Sequence, residues 1–151
     1  ALANFTGTWR RFEYKGEVNG APVYDDYAHH PTEIRAAIDG VKELYPNRKI
    51  ILAFQPHTYS RTAALFAEFA KAVGQAHEIL ILPVYAAREE NQTGVSSREL
   101  AVKTLETNTN ARYVESLEAA EKAIRKTADD ESVVMVVGAG TITHLAEMLT
   151  K

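Results

Sequence analysis

The sequence has no cysteine in its 151 residues, which excludes a disulfide framework and a thiol nucleophile and fits a cytoplasmic protein. It has no excess of positive charge: Lys+Arg 17 against Asp+Glu 20 gives a formal net charge of -3, whereas a nucleic-acid-binding domain needs a basic face. Long hydrophobic runs are missing as well. Stretches such as Ile50–Phe54 and Val133–Val137 are far shorter than the ~20 residues of a membrane helix. No charged-then-apolar leader opens the chain, so no signal peptide is expected, and a first residue of Ala1 rather than Met suggests a fragment or processed product. No G-x-x-x-x-G-K-[ST] occurs, so the chain has no P-loop for ATP phosphates and should not hydrolyse ATP by itself. Internal repeats and low-complexity tracts are also absent. What is left is an ordinary globular composition at the length of one domain.

Along that length, short apolar runs alternate with amphipathic ones. Ala1–Thr8 reads as a leading linker, with Phe5 against the core, and Trp9–Val18 as a strand. Asn19-Gly20 is a hairpin signal because both residues tolerate positive φ, and Ala21–Asp25 returns as the partner strand. Pro31 suits the first turn of a helix, whose buried face is Ile34, Ile38, Val41 and Leu44 at helical spacing. Lys49–Phe54 reads as a strand covered on both faces. A helix capped by Ser60 or Thr62 then carries Leu65, Phe66, Phe69 and Val73 to a stop at Gly74. Glu78–Val84 is the next strand, and a long polar loop, Tyr85–Val95, follows it. Ser96 with Glu99 forms a capping-box pair ahead of a helix with Leu100 and Leu105. Ala111–Val114 is a weaker strand, and Leu117, Ala120 and Ile124 mark a helix. Ser132–Val137 runs into Gly138-Ala139-Gly140-Thr141 and a last helix with Ile142, Leu145 and Leu149. The expected fold is therefore α/β: a Rossmann-like three-layer domain, with a mostly parallel sheet and an N-terminal β-hairpin adding antiparallel pairing at one edge.

In such sheets ligands bind beyond the carboxyl ends of the strands. The polar clusters fall there: Asp25–His30, Gln55–Arg61, Tyr85–Gly94 and Gly138–Thr141. Helices opening near Pro31, Ser60 and Thr141 would aim free N–H groups and positive dipole ends at the same rim. Arg61 suits a carboxylate or phosphate because its planar fork can bind two oxygens, and His57 adds a donor beside it. Asp25 and Asp26 would instead accept from ribose hydroxyls or an ammonium. A small molecule with both an amine and a carboxylate satisfies such a mixed rim, and an amino acid is one.

Plainer readings stand beside these. His29 and His30 can serve as helix-capping or packing residues, and Arg10 and Arg11 as a solvated strand face. Adjacent histidines lack the i, i+4 geometry of a zinc motif. A Ser60–His57–Asp26 triad can be drawn, but no G-x-S-x-G elbow supports it. Gly138-Ala139-Gly140 can cradle a phosphate or allow close strand-to-helix packing. Glu89-Glu90 is most simply a solvated loop.

Four stretches, G-T-W-R-R-F-E (Gly7–Glu13), D-D-Y-A-H-H-P-T-E (Asp25–Glu33), F-Q-P-H-T-Y-S-R-T (Phe54–Thr62) and V-V-G-A-G-T-I (Val136–Ile142), make nearly the whole sequence resemble the C-terminal domain of the Mur ligases. The middle two are specific and the outer two weaker. D-Y-A-H occurs across several branches of that family. The double histidine with F-Q-P-H-x-Y-S-R-T is similar to the branch that adds L-alanine to UDP-N-acetylmuramate. A branch that recycles whole cell-wall peptides, sharing a D-D-x-A-H-H-P stretch, is the alternative within the family, and a stand-alone small-molecule-binding module is the alternative outside it.

The resemblance implies a cytoplasmic, ATP-dependent, ADP-forming ligase of peptidoglycan synthesis with three domains. One would hold the UDP-sugar, a central one the P-loop and Mg2+, and residues 1–151 would be the amino-acid-binding domain. ATP would phosphorylate the lactyl carboxylate, and the amine of alanine would attack the acyl phosphate, releasing phosphate. By the same resemblance Asp26 would meet the nucleotide ribose, with Arg11 near it. Tyr27 and His29 would line the alanine pocket, and His57 and Arg61 would hold its carboxylate. No catalytic residue and no metal ligand is expected on this domain, ATP and Mg2+ being held mainly by the central one. The sequence departs from the pattern at Thr58, where many relatives carry an arginine, leaving Arg61 to act without a second arginine.

Overall fold

The computed structural model describes residues 11–151; the leading linker of residues 1–8 and the first two residues of the opening strand lie outside them. The hairpin is formed by β1 (Glu13–Val18) and β2 (Ala21–Asp26), which pair antiparallel across Asn19 and Gly20. Both turn residues sit at positive φ, 50° and 86°, as a two-residue hairpin turn of matching twist requires.

Four more strands follow: β3 (Lys49–Phe54), β4 (Glu78–Ile81), β5 (Ala111–Tyr113) and β6 (Ser132–Val137). The sheet order is β1-β2-β6-β3-β4-β5, with every pair after the hairpin parallel. The helices are α1 (Pro31–Leu44), α2 (Tyr59–Ala64), α3 (Phe66–Val73), α4 (Ser97–Thr104), α5 (Leu117–Thr127) and α6 (Thr143–Leu149).

The period-two alternation of a strand sends its consecutive side chains to opposite faces, and β3 shows the result. Ile50, Leu52 and Phe54 pack with Ile34, Ile38 and Val41 of α1, Phe69 and Val73 of α3, and Leu100 of α4. Ile51 and Ala53 pack with Ala120 and Ile124 of α5 and with Leu145 and Leu149 of α6. The three layers follow from this. A strand with a helical layer on each face has no place for a polar side chain, which is why β3 and β6 read as unbroken apolar runs.

Several elements differ from their sequence reading. The opening strand begins at Glu13, with Arg11 and Phe12 outside it, and Leu44 at the end of α1 is exposed rather than part of its buried face. The helix after β3 starts earlier, with Thr58 as its cap, and it is broken in two. Leu65, at φ -117°, leaves helical geometry, and α3 begins a new turn that buries Phe69, Ala70, Ala72 and Val73. The strand β4 stops at Ile81 rather than Val84. Leu82 N–H still donates to the Phe54 carbonyl at 2.9 Å, but Pro83 has no N–H with which to continue the ladder. The last helix opens at Thr143, two residues after Thr141.

The order of the strands positions the site. The chain leaves β2 and β3 for helices on one face of the sheet and leaves β6, which lies between them, for α6 on the other. Connections that diverge in this way open a crevice at the carboxyl ends of the strands.

Candidate functional site

At the end of β2 the two aspartates part company. Asp25 is fully buried and accepts a hydrogen bond from the Thr143 hydroxyl at 2.6 Å. Asp26 accepts from the Ala28 amide through Oδ1 at 2.8 Å and from the Phe12 amide through Oδ2 at 3.1 Å. Burial lifts the carboxyl of Asp26 above its ordinary range, while the two amides and the charge of Arg11 pull it back. Each carboxylate oxygen keeps a second lone pair for a further donor. Arg11, Asp26, Tyr27 and Glu33 line a cleft of about 120 Å³, floored by Phe12 and Ala37.

The two histidines also diverge. His30 is the N-cap of α1, accepting from the Thr32 amide at 3.3 Å, while Glu33 reaches back to accept from the amides of His29 and His30 at 3.1 Å each. His29 faces the rim. Its Nδ1 lies 3.1 Å from the Tyr27 carbonyl and its ring meets Tyr27 edge-on at 5.5 Å.

At the end of β3, Gln55 turns inward and His57 outward. Arg61 Nη1 lies 3.1 Å from His57 Nδ1 and 3.5 Å from the His57 carbonyl. A guanidinium only donates, so Nδ1 of His57 is the acceptor and the proton of the neutral ring sits on Nε2. Burial, the charge of Arg61 and His29 together hold the imidazole below its ordinary range, so at neutral pH His57 offers one N–H donor and no charge. Among the described residues no carboxylate lies within ion-pair distance of Arg61.

A third segment, after β4, completes the rim. Tyr85 is tied to the β3 loop by two backbone bonds of 2.8 Å, from Tyr85 N–H to the Pro56 carbonyl and from Thr58 N–H to the Tyr85 carbonyl. Its ring stacks on His57 at 5.5 Å, and His57 meets His29 at 6.0 Å. Tyr27, His29, His57 and Tyr85 thus form one continuous row of rings drawn from three loops, with Arg61 beside it.

Several sequence expectations are corrected here. The openings of α1 and α2 are capped by side chains rather than left bare, whereas that of α6 carries no side-chain cap. That of α1 is capped by His30 and Glu33, that of α2 by Thr58 and by Glu89, and the Ile142 amide ahead of α6 donates to Gln55 Oε1 at 3.1 Å. Glu89 lies in a loop at the surface, as read, but its carboxylate is engaged: it accepts from the Ser60 amide at 3.0 Å and from the Ser60 hydroxyl at 2.5 Å. Since Ser60 is bonded to Glu89 and Asp26 to two amides, the Ser60–His57–Asp26 triad is not assembled.

The glycines after β6 are close-packing residues. A Cβ on Gly138 would lie 2.9 Å from the Gln55 carbonyl, and one on Gly140 would lie 2.5 Å from Tyr85 Cγ. Protein atoms, not room for a phosphate, fill the space that these glycines open.

Gln55, Tyr85 and Glu89 stood within the polar clusters placed at the rim, but sequence reasoning assigned none of them a role of its own. Gln55 stood inside the F-Q-P-H motif, and Tyr85 follows β4 just as Gln55 and His57 follow β3, so strand-end position was the available signal.

Comparison with known proteins matches residues 10–140 to the model of the family described as Mur ligase, glutamate ligase domain. The chain belongs to this family. The UDP-N-acetylmuramate–L-alanine ligase of Agathobacter rectalis is 43% identical over 150 residues, covering 99% of this chain and 32% of that one. The crystal structure of UDP-N-acetylmuramate-alanine ligase from Thermotoga maritima superposes with a TM-score of 0.78 at 30% identity, over 97% of this chain and 30% of that one. A murein peptide ligase from Psychrobacter arcticus gives a TM-score of 0.76 at 22% identity, over 93% and 29% of the two chains, a likeness of fold. This Mur ligase domain thus spans about a third of the length of the curated relatives that it matches.

Proposed function

We propose that this chain is the amino-acid-binding domain of an ATP-dependent, ADP-forming ligase that joins L-alanine to UDP-N-acetylmuramate in peptidoglycan synthesis. The rest of such a protein would supply the UDP-sugar domain and the central ATP domain. The observation that carries the reading is the Arg61–His57 pair: a half-buried guanidinium with no carboxylate partner among the described residues, beside a neutral imidazole with one N–H to give. That pair is a receptor for one carboxylate.

In this reading the alanine carboxylate sits on Arg61 and on His57 Nε2–H. Tyr27, His29 and Tyr85 bound the space beside it. Asp26 and Arg11 border the separate cleft and would meet the nucleotide ribose through the lone pairs that Asp26 retains. Mg2+ would be held with the ATP phosphates mainly by the central domain, and no metal-bound step is assigned here. ATP, when bound, supplies the activation of the lactyl carboxylate. This domain holds the amine of alanine where it can attack, and its contribution to rate is positional.

The test is steady-state kinetics of the full-length protein with UDP-N-acetylmuramate, ATP and L-alanine. Losing the charge-assisted contacts of Arg61 costs about 2–4 kcal/mol, so Arg61→Ala should raise the KM for alanine roughly 30- to 700-fold and leave the KM for ATP in place. An unchanged alanine KM would remove Arg61 from the pocket. Turnover of a cell-wall peptide in place of alanine would move the protein to the recycling branch.

A further inference from the structure

Glu89 has no place in the alanine site as described, yet it is the acidic side chain bonded to the turn that carries that site. Its carboxylate spans the first turn of α2, taking the Ser60 N–H and the Ser60 hydroxyl. That turn is held in an unfavourable shape. Thr58 sits at φ 68°, and on the other side of the contact Ala87 and Arg88 sit at 50° and 76°. Residues with a Cβ rarely adopt this left-handed region, and they persist there where the surroundings hold them. The surroundings here are the two Tyr85 backbone bonds, the Thr58 hydroxyl capping the Arg61 amide, and the Glu89 clamp on Ser60, two residues on.

Resting on the alanine-site reading above, we infer that Glu89 is a positioning residue for the amino-acid carboxylate. Bonded to Ser60, it fixes the turn from which His57 and Arg61 project, and it keeps its own charge off Arg61. The second part follows from the contacts. Glu89 is close enough to Arg61 for the two charges to be felt, but it makes no ion pair with it; its two oxygens face Ser60 instead, one on the amide and one on the hydroxyl. The hydrogen bonds from Ser60 also hold the Glu89 carboxyl below its ordinary range, so the clamp is charged throughout the neutral range. A Glu89 freed from Ser60 would be an internal competitor for the guanidinium that alanine needs.

The experiment uses the full-length protein, with Arg61→Ala measured in parallel. Glu89→Ala deletes the clamp and should raise the alanine KM roughly tenfold, with smaller changes in kcat and in the KM values for ATP and the UDP-sugar. Glu89→Gln can still accept from the Ser60 amide and can donate to the Ser60 hydroxyl, so it should restore an alanine KM within about threefold of the parent. Ser60→Ala removes the hydroxyl contact and loosens the charge, and it too should raise the alanine KM. An alanine KM unchanged in Glu89→Ala while Arg61→Ala raises it overturns the positioning role alone. An alanine KM unchanged in both variants overturns the alanine site itself. Glu89→Gln no better than Glu89→Ala would also overturn the clamp, because it would show that charge rather than hydrogen bonding is needed. Should Glu89→Ala fail to fold, Ser60→Ala carries the test, and a parental alanine KM there overturns the inference.

Discussion

Replacing Gln55 with Met keeps the length of the side chain and removes both of its hydrogen-bonding ends. Gln55 is 7% exposed. Its Oε1 accepts from the Ile142 amide at 3.1 Å and its Nε2 donates to the Thr141 hydroxyl at 3.1 Å, so one side chain ties the end of β3 to the start of α6. Ile142 is fully buried, and without Oε1 its N–H loses its partner away from water. An orphaned buried donor costs about 1–3 kcal/mol, and the Thr141 bond contributes about 0.5–1.5 kcal/mol more. The added apolar burial offsets about 0.8 kcal/mol per methylene equivalent. The net expectation is a loss of about 2–3 kcal/mol, or roughly 4–12 °C in Tm for a domain of this size. Urea unfolding of the 151-residue chain reads the free energy, and calorimetry the Tm. Gln55→Glu separates hydrogen bonding from charge. Protonated, its carboxyl can accept from Ile142 and donate to Thr141; ionised, it is a buried charge. Its folded-state pKa should therefore lie above the unfolded value, so stability should be retained in acid and lost as pH rises through the folded value. A Gln55→Met variant within about 0.5 kcal/mol of the parent would refute the claim that this bridge holds the two strand ends together.

Two further outcomes follow from the same crowded rim. In Gly140→Ala the new methyl must displace Tyr85, whose Cγ would lie 2.5 Å away; unfolding should show a loss of about 1–3 kcal/mol, and the alanine KM should rise as the ring leaves His57, whereas an unaltered Tm would show that the rim has slack. By NMR titration, His57 should protonate below the ordinary 6.5 and shift upward in Arg61→Ala, because burial and the Arg61 charge both oppose protonation. The folded state then binds fewer protons than the unfolded chain, so the stability that His57 contributes is present above pH 6.5 and is lost as pH falls through the unfolded and then the folded value; a midpoint at or above 6.5 would contradict the buried, cation-flanked geometry.

What could be read from the sequence was whatever is decided by neighbouring residues. Asn19-Gly20 set the hairpin, Pro31 opened α1, and the unbroken apolar runs of β3 and β6 announced strands covered on both faces. The site's location at the strand ends was legible for the same reason, since each cluster follows its own strand. What was not legible depends on distant partners. The contact of Glu89 with Ser60 spans 29 residues and that of Gln55 with Ile142 spans 87. The break at Leu65 and the early start of α2 belong to the same class. Thr58 can cap a helix from the left-handed region only because the Tyr85 segment holds it there, and nothing within a few residues of Thr58 says so.

The stretch from Tyr24 to Glu33 shows how far a dense polar motif can be read as chemistry. Its concentration of carboxylates and imidazoles suggests that most of them meet a ligand, but the structure employs most of them internally. Asp25 is bonded to Thr143, Asp26 holds the amides of Phe12 and Ala28, His30 caps α1, and Glu33 takes two backbone amides. Tyr27 and His29 place their rings at the rim. A switch point explains the density: where chain segments leave a sheet toward opposite faces, many backbone N–H groups end without a ladder partner, and buried ones need acceptors. The same crevice that can receive a substrate therefore demands polar side chains for its own construction. Polar density at strand ends marks a candidate site, and it assigns roles within the site poorly until the internal hydrogen bonds have been counted.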